Sequence, residues 1–173
     1  MLMITIQHKT IKLIKNLLLF SLLFSSLAES KDTFQMKNAH GQVVNLKLAL
    51  SFEEHTKGLS GLKSNEFRSD SGMLFVDSQT GAKRFWMPNT YFNLDIIFLD
   101  EKLKIVAIEK NVPFHPGTKE PPVIYRTQTY QAQHVLETKA NCNFSKNLKV
   151  NDQLEFIGPT SLSEIVLKTH LKQ

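Results

Sequence analysis

Arg84, Trp86, Asn89, Thr90 and Asp95 fall within a dozen residues, and Glu137 ends the apolar Val135-Leu136 pair further along. An aromatic face with a charged rim is the mixture that lines pockets for small molecules or extended peptides. Asn89, Thr90 and Asp95 could add convergent polar groups, and Glu137 could complete such a cleft. Two converging carboxyls, Asp95 and Glu137, would permit general acid and base work if burial raised one of their pKa values. The same residues have structural readings. Trp86 could be a large core residue with its indole N–H bonded to a backbone carbonyl. Asn89, Thr90 and Asp95 could bind turn N–H groups so that no donor is buried unpaired.

Other chemistry has less support. His40, His55, His115, His134 and His170 are widely spaced, without the His-x-x-x-His pattern of a zinc helix. No metal, cofactor or catalytic residue is therefore expected. Gly58-Leu59-Ser60-Gly61 lacks the spacing of a nucleophile elbow and reads as a helix exit. Cys142 is the sole cysteine, so no internal disulfide can form, and it reads as a small, partly buried residue. A nucleophile and base made of Cys142 and His134 would need a strand residue to meet a turn residue.

Short β-type runs must position these groups. Phe34 to Leu50, broken by the turn signal Asn38-Ala39-His40-Gly41, reads as a hairpin. Ser51-Phe52-Glu53-Glu54 is a capping box and Gly58 suits the exit of a short helix near 51–58. Strands are expected over Met73–Val76, Lys83–Met87, Asp95–Leu99, Lys104–Glu109, Tyr130–Leu136 and Gln153–Phe156. Within Lys83–Met87, Phe85 and Met87 should face one way and Arg84 and Trp86 the other. Ile96-Ile97-Phe98-Leu99 is apolar on both alternating faces and marks a central strand. Asn111 to Pro122 is rich in proline and reads as an exposed loop. Ser161-Leu162-Ser163-Glu164 opens an amphipathic helix whose apolar side is Leu162, Ile165, Val166 and Leu171. The expected fold is mainly β, a single-domain β-barrel or β-sandwich of short strands with these two helices.

Lys9, Lys12 and Lys15 precede an apolar segment, Leu17 to Leu27, that ends in Ser26-Leu27-Ala28. This is the pattern of a cleaved secretory signal, and the segment is shorter than the ~20 residues a membrane span needs. The expected organisation is a signal at 1–28, a β-rich domain at 29–159 and a helical tail at 160–173. The remaining 145 residues can form one core. They hold 18 basic and 16 acidic residues, a net charge of +2, which gives little electrostatic support for a nucleic-acid partner. The mature chain is expected to be periplasmic or extracellular, without an integral membrane span. Nothing in the sequence sets its oligomeric state.

Several motifs occur in order: Gly58-Leu59, Gly72-Met73-Leu74-Phe75, Phe85-Trp86-Met87 with Asn89-Thr90, Leu94-Asp95-Ile96 with Phe98-Leu99-Asp100, Val135-Leu136-Glu137, and Val150 with Asp152. Over roughly Val43 to Phe156 the chain resembles the family of domain of unknown function 192. The resemblance implies a compact β-rich fold of the barrel or sandwich kind and no established activity, substrate or cofactor. Ser60 and Gly61 stand where the family usually has methionine and soon after arginine, and Pro88 where it favours a basic residue. Asn151 replaces a usual glycine, and asparagine is well suited to left-handed turn positions.

These observations lead to the expectation of a soluble cell-envelope binding or accessory module, engaging a small molecule or extended peptide beside Trp86. The alternatives are a hydrolase using Asp95 and Glu137, and a structural partner of another envelope protein.

Overall fold

The computed structural model describes residues 33–170. The expected signal at 1–28 and the helical position Leu171 lie outside the described residues. Nine strands and two helices are described: β1 (Phe34–Lys37), β2 (Val43–Ala49), α1 (Phe52–Lys57), β3 (Ser71–Phe75), β4 (Gly81–Lys83), β5 (Leu94–Leu99), β6 (Ile105–Val112), β7 (Tyr130–Ala132), β8 (His134–Lys139), β9 (Glu155–Ile157) and α2 (Leu162–His170). Seven strands form a curled half-barrel in the order β6-β5-β8-β3-β2-β1-β9, and β4 pairs with β7 in a separate two-stranded sheet. The fold is thus mainly β, as expected. Only β2 and β3 run parallel in the large sheet, and α1 lies in the connection between them. Parallel neighbours require such a crossover, whereas the hairpin of β1 and β2 needs only a short turn.

All six residues of β5 are buried. This follows from its apolar run on both alternating faces, because each face of the sheet carries a core. On one face Leu74, Ile97, Leu99 and Leu136 pack with Phe144, Leu148, Leu154 and Ile165. On the other, Met73, Phe75, Ile96, Phe98 and Val135 pack with Leu59, Phe67, Met87 and Phe92. α2 docks on the first core through Ile165, with Leu162 and Val166 half-buried beside it. An isolated helix of this length would be marginal, so the buried stripe is what orders it.

Three expected elements differ. The strand foreseen over Lys83–Met87 pairs as a ladder only through Lys83, and Trp86 makes an isolated bridge with Arg126. There the Phe85 N–H is taken by the Thr127 hydroxyl instead of a carbonyl, which interrupts the ladder. The run Tyr130–Leu136 divides at Gln133 into β7 and β8, which belong to different sheets. β6 continues through Asn111 and Val112 into the supposed loop. A shift of register lets it do so, with Asn111 in the left-handed region at φ 50°. Asn151, at φ 76°, does occupy a left-handed turn.

Candidate functional site: a cavity beneath Trp86

α1 builds one wall. Ser51 caps it by accepting the Glu54 N–H at 3.2 Å, while the Glu54 carboxylate accepts the Ser51 N–H at 2.9 Å. The helix stops at Gly58, whose φ of 47° favours glycine and where a Cβ would come within 3.3 Å of the Phe75 ring. Glycine therefore lets the helix exit settle against Phe75. The adjoining segment is tied to the Trp86 loop, with the Gly61 N–H donating to the Asn89 carbonyl at 2.8 Å and the Ser60 hydroxyl to the Pro88 carbonyl at 3.3 Å. His55 Nε2 donates to the Ala49 carbonyl at 3.0 Å, and its ring meets Phe75 edge-on.

Alternation over Arg84 to Met87 behaves as the sequence implies. Met87 is buried and Phe85 half-buried, packing edge-on against Phe75, while Arg84 and Trp86 face outward. Trp86 is 54% exposed, so it is not a core residue. The Arg126 guanidinium lies 5.8 Å from its ring centroid, a cation–π contact that covers part of the indole.

Beneath Trp86 is a small cavity of about 50 Å³, lined among others by His55, Gly58, Phe75, Phe85, Thr90 and Glu137. Glu137 projects from β8 on the same sheet face as its neighbours Met73 and Ile96, in the second core. Its side chain is buried, and no hydrogen bond or ion pair to the carboxyl occurs among the described residues, but its oxygens are not fully enclosed: the one enclosed, unpaired side-chain polar atom among those residues is the Thr138 hydroxyl. Burial alone pushes its pKa from 4.5 up to about 8, because the charged form would be poorly solvated there. At neutral pH it is mostly the protonated acid.

Asp95 belongs elsewhere. It faces Thr138 across the β5–β8 pair, whereas Glu137 faces Ile96, so alternation sends the two carboxyls to opposite faces of the sheet. Asp95 is fully buried and accepts the Asn111 and Asn141 N–H groups at 2.8 and 3.1 Å and the Ser145 hydroxyl at 2.5 Å. Lys110 Nζ lies 3.8 Å away and donates to the Ser145 carbonyl. This is a structural tie among β5, β6 and the segment after β8. The acid and base pair of Asp95 and Glu137 is therefore not assembled.

Thr90 touches the cavity, but its hydroxyl is occupied, donating to the Met87 carbonyl at 3.0 Å and accepting the His115 N–H at 2.9 Å. Asn89 is left-handed at φ 51° and its side-chain oxygen accepts the Tyr91 hydroxyl at 3.0 Å. Of the six expected site residues, Trp86, Thr90 and Glu137 line the cavity, and Arg84, Asn89 and Asp95 do not. His55, Phe75 and Phe85 line it without having been foreseen. The only sequence signal for His55 was its phase on a capped helix.

The other reactive candidates do not meet. His134 and Cys142 lie near opposite ends of β8, His134 at its start and Cys142 beyond Lys139. His134 Nδ1 accepts the Asp77 N–H at 3.3 Å, and burial lowers its pKa to about 4, so it is neutral. Cys142 is buried with its Sγ 3.2 Å from the Ser145 hydroxyl. No group of residues arranged to hold a metal ion is found among the described residues. Nor is any described helix long and apolar enough to cross a membrane.

A curled half-barrel with a small acid-floored cavity defines a class of β domain, and the family model DUF192, described as Uncharacterized ACR, matches residues 33–156. The chain belongs to this uncharacterised family. It resembles the crystal structure of a proposed transcription regulator from Sinorhizobium meliloti 1021, at 25% identity and a TM-score of 0.56, over 72% of this chain and 92% of that one. A protein of unknown function from Novosphingobium aromaticivorans DSM 12444 is similar at 25% identity and a TM-score of 0.56, over 71% of this chain and 83% of that one. Comparison with curated proteins finds no match.

Proposed function

We propose that the protein is a binding or accessory module that takes a small molecule, or a side chain of an extended peptide, into the cavity beneath Trp86. The observation that carries this is Glu137, a buried side chain that lines the cavity and whose carboxyl has no partner among the described residues. Buried polar groups are normally paired, so an unpaired acid on a cavity wall suits a ligand that supplies the missing hydrogen bond. The exposed apolar side chains Trp86, Tyr91 and Phe114 add surface on which a longer ligand could lie.

The hydrolase alternative loses its support, because Asp95 faces the other side of the sheet, and Glu109, the carboxyl two strands from Glu137 on its own side, accepts the Tyr125 and Tyr130 hydroxyls and does not line the cavity. A transcription-regulator role, suggested only by the description of the Sinorhizobium protein, draws little from a chain whose charge is nearly balanced beyond residue 28.

Trp86 is the sole tryptophan and can report occupancy directly. Titration with primary amines, amides, carboxylic acids and short extended peptides at millimolar concentration should give a saturable change in its emission for at least one class. That change should be absent in Glu137→Leu. A flat response to every class would overturn the assignment.

Export is proposed on the same footing. N-terminal sequencing of the mature protein should begin near Glu29, and an intact Met1 in membranes would refute it.

A further inference from the structure

We infer that the group received in this cavity is a primary ammonium on a short alkyl chain, held by the Glu137 carboxylate between the aromatic walls of Phe75, Phe85 and Trp86. This deepens the proposed function and presupposes that the cavity is a binding site.

Three features favour a cation. Glu137 is the one acidic side chain lining the cavity, and no basic side chain pairs with it among the described residues. Aromatic rings attract cations through their negative faces, and Phe75, Phe85 and Trp86 all contribute to the lining. The other titratable groups lining it both come from α1. His55 has one ring nitrogen committed to the Ala49 carbonyl, and Lys57 is exposed and solvated. Solvent weakens the repulsion from Lys57, whereas the attraction of Glu137 acts in a poorly screened interior.

Size sets the class further. A space of about 50 Å³ takes about two non-hydrogen atoms, on the scale of the ~150 Å³ cavity that holds a benzene ring. An ammonium with its first methylene fills it, and the remainder of the chain can pass beside Trp86. A lysine side chain and a free alkylamine share this chemistry.

Binding has a proton signature. The empty site holds Glu137 mostly as the neutral acid, while the amine arrives already protonated. Pairing ionises the carboxyl, and its proton leaves to solvent.

The test is calorimetric titration of the full chain at pH 7 in phosphate and in HEPES, whose ionisation heats differ and neither of which carries a primary ammonium. The probes are n-butylammonium chloride, Nα-acetyl-lysine methylamide and the neutral control butanamide. The two amines should bind with release of about one proton each. Butanamide should bind at least about tenfold more weakly. In Glu137→Gln, with cooperative urea unfolding retained, amine affinity should fall at least about tenfold and proton release should vanish. Phe85→Leu should weaken amine binding while leaving proton release per amine unchanged. Tighter binding of the lysine derivative than of butylammonium would assign the source to a peptide side chain, and the reverse order to a free amine. Amine binding without proton release, indifference to Glu137→Gln, or preference for butanamide would overturn the ammonium assignment while the cavity remains a binding site. Silence toward these probes alone, with a response to another class in the emission assay, would do the same. Silence toward every compound in both assays would remove both conclusions.

Discussion

Glu137 should leave a signature in stability as a function of pH, whatever the ligand. Its folded pKa of about 8 lies above the ordinary 4.5, so between those values the folded chain retains a proton that the unfolded chain releases. Folding is therefore favoured below pH 4.5, and that advantage is lost as pH rises toward 8. Each pKa unit corresponds to about 1.4 kcal/mol, so the full interval amounts to about 5 kcal/mol. His134 acts with the opposite sign. Its pKa falls from 6.5 to about 4 on folding, so it makes stability rise with pH over that interval and then has no further effect. The two contributions oppose each other below pH 6.5, and Glu137 acts alone of the pair above it. From pH 6.5 to 8 it should cost about 2 kcal/mol. Replacement by glutamine keeps the shape and removes the ionisation. Urea unfolding of both proteins at several pH values, with m fixed by the common fold, reads the difference as a midpoint that falls by about 1 M in the parent relative to the variant. All other titrating groups are shared and cancel. Parallel profiles from pH 6.5 to 8 would show that water or a counter-charge reaches Glu137, and would refute the buried, unpaired acid.

Further outcomes test the architecture. Asp95→Asn should destabilise by about 2–4 kcal/mol in urea unfolding, because an amide N–H2 would oppose donors that now meet a carboxylate, and an unchanged midpoint would contradict the tie. Phe98→Ala, at a fully buried position of the central strand, should cost about 3–5 kcal/mol, and a loss below about 1 kcal/mol would make that strand peripheral. Truncation after Pro159 should lower stability by about 2–4 kcal/mol through exposure of Ile165 and its half-buried neighbours, and fast amide exchange throughout α2 in the intact chain would show that the helix does not dock.

Local chemistry alone determined a good part of this protein. The capping box at Ser51 and Glu54, the outward and inward alternation from Arg84 to Met87, and the doubly covered run Ile96 to Leu99 all depend on neighbours a few residues away. The side-chain periods of helix and strand therefore sufficed to read them. Asp95 and Glu137 are different. Each was legible as a carboxylate at the end of an apolar run, but a period of two says only which residues share a face within one strand. Whether two strands present those residues to the same face depends on their register, and a slip of one residue reverses the answer. That register comes from pairing β5 with β8 across the whole β6 and β7 region, at a separation no local pattern spans. Tertiary pairing thus committed Asp95 to backbone and hydroxyl donors in one core. It left Glu137 in the other, beneath a tryptophan whose exposure was itself decided by the segment packed beside it.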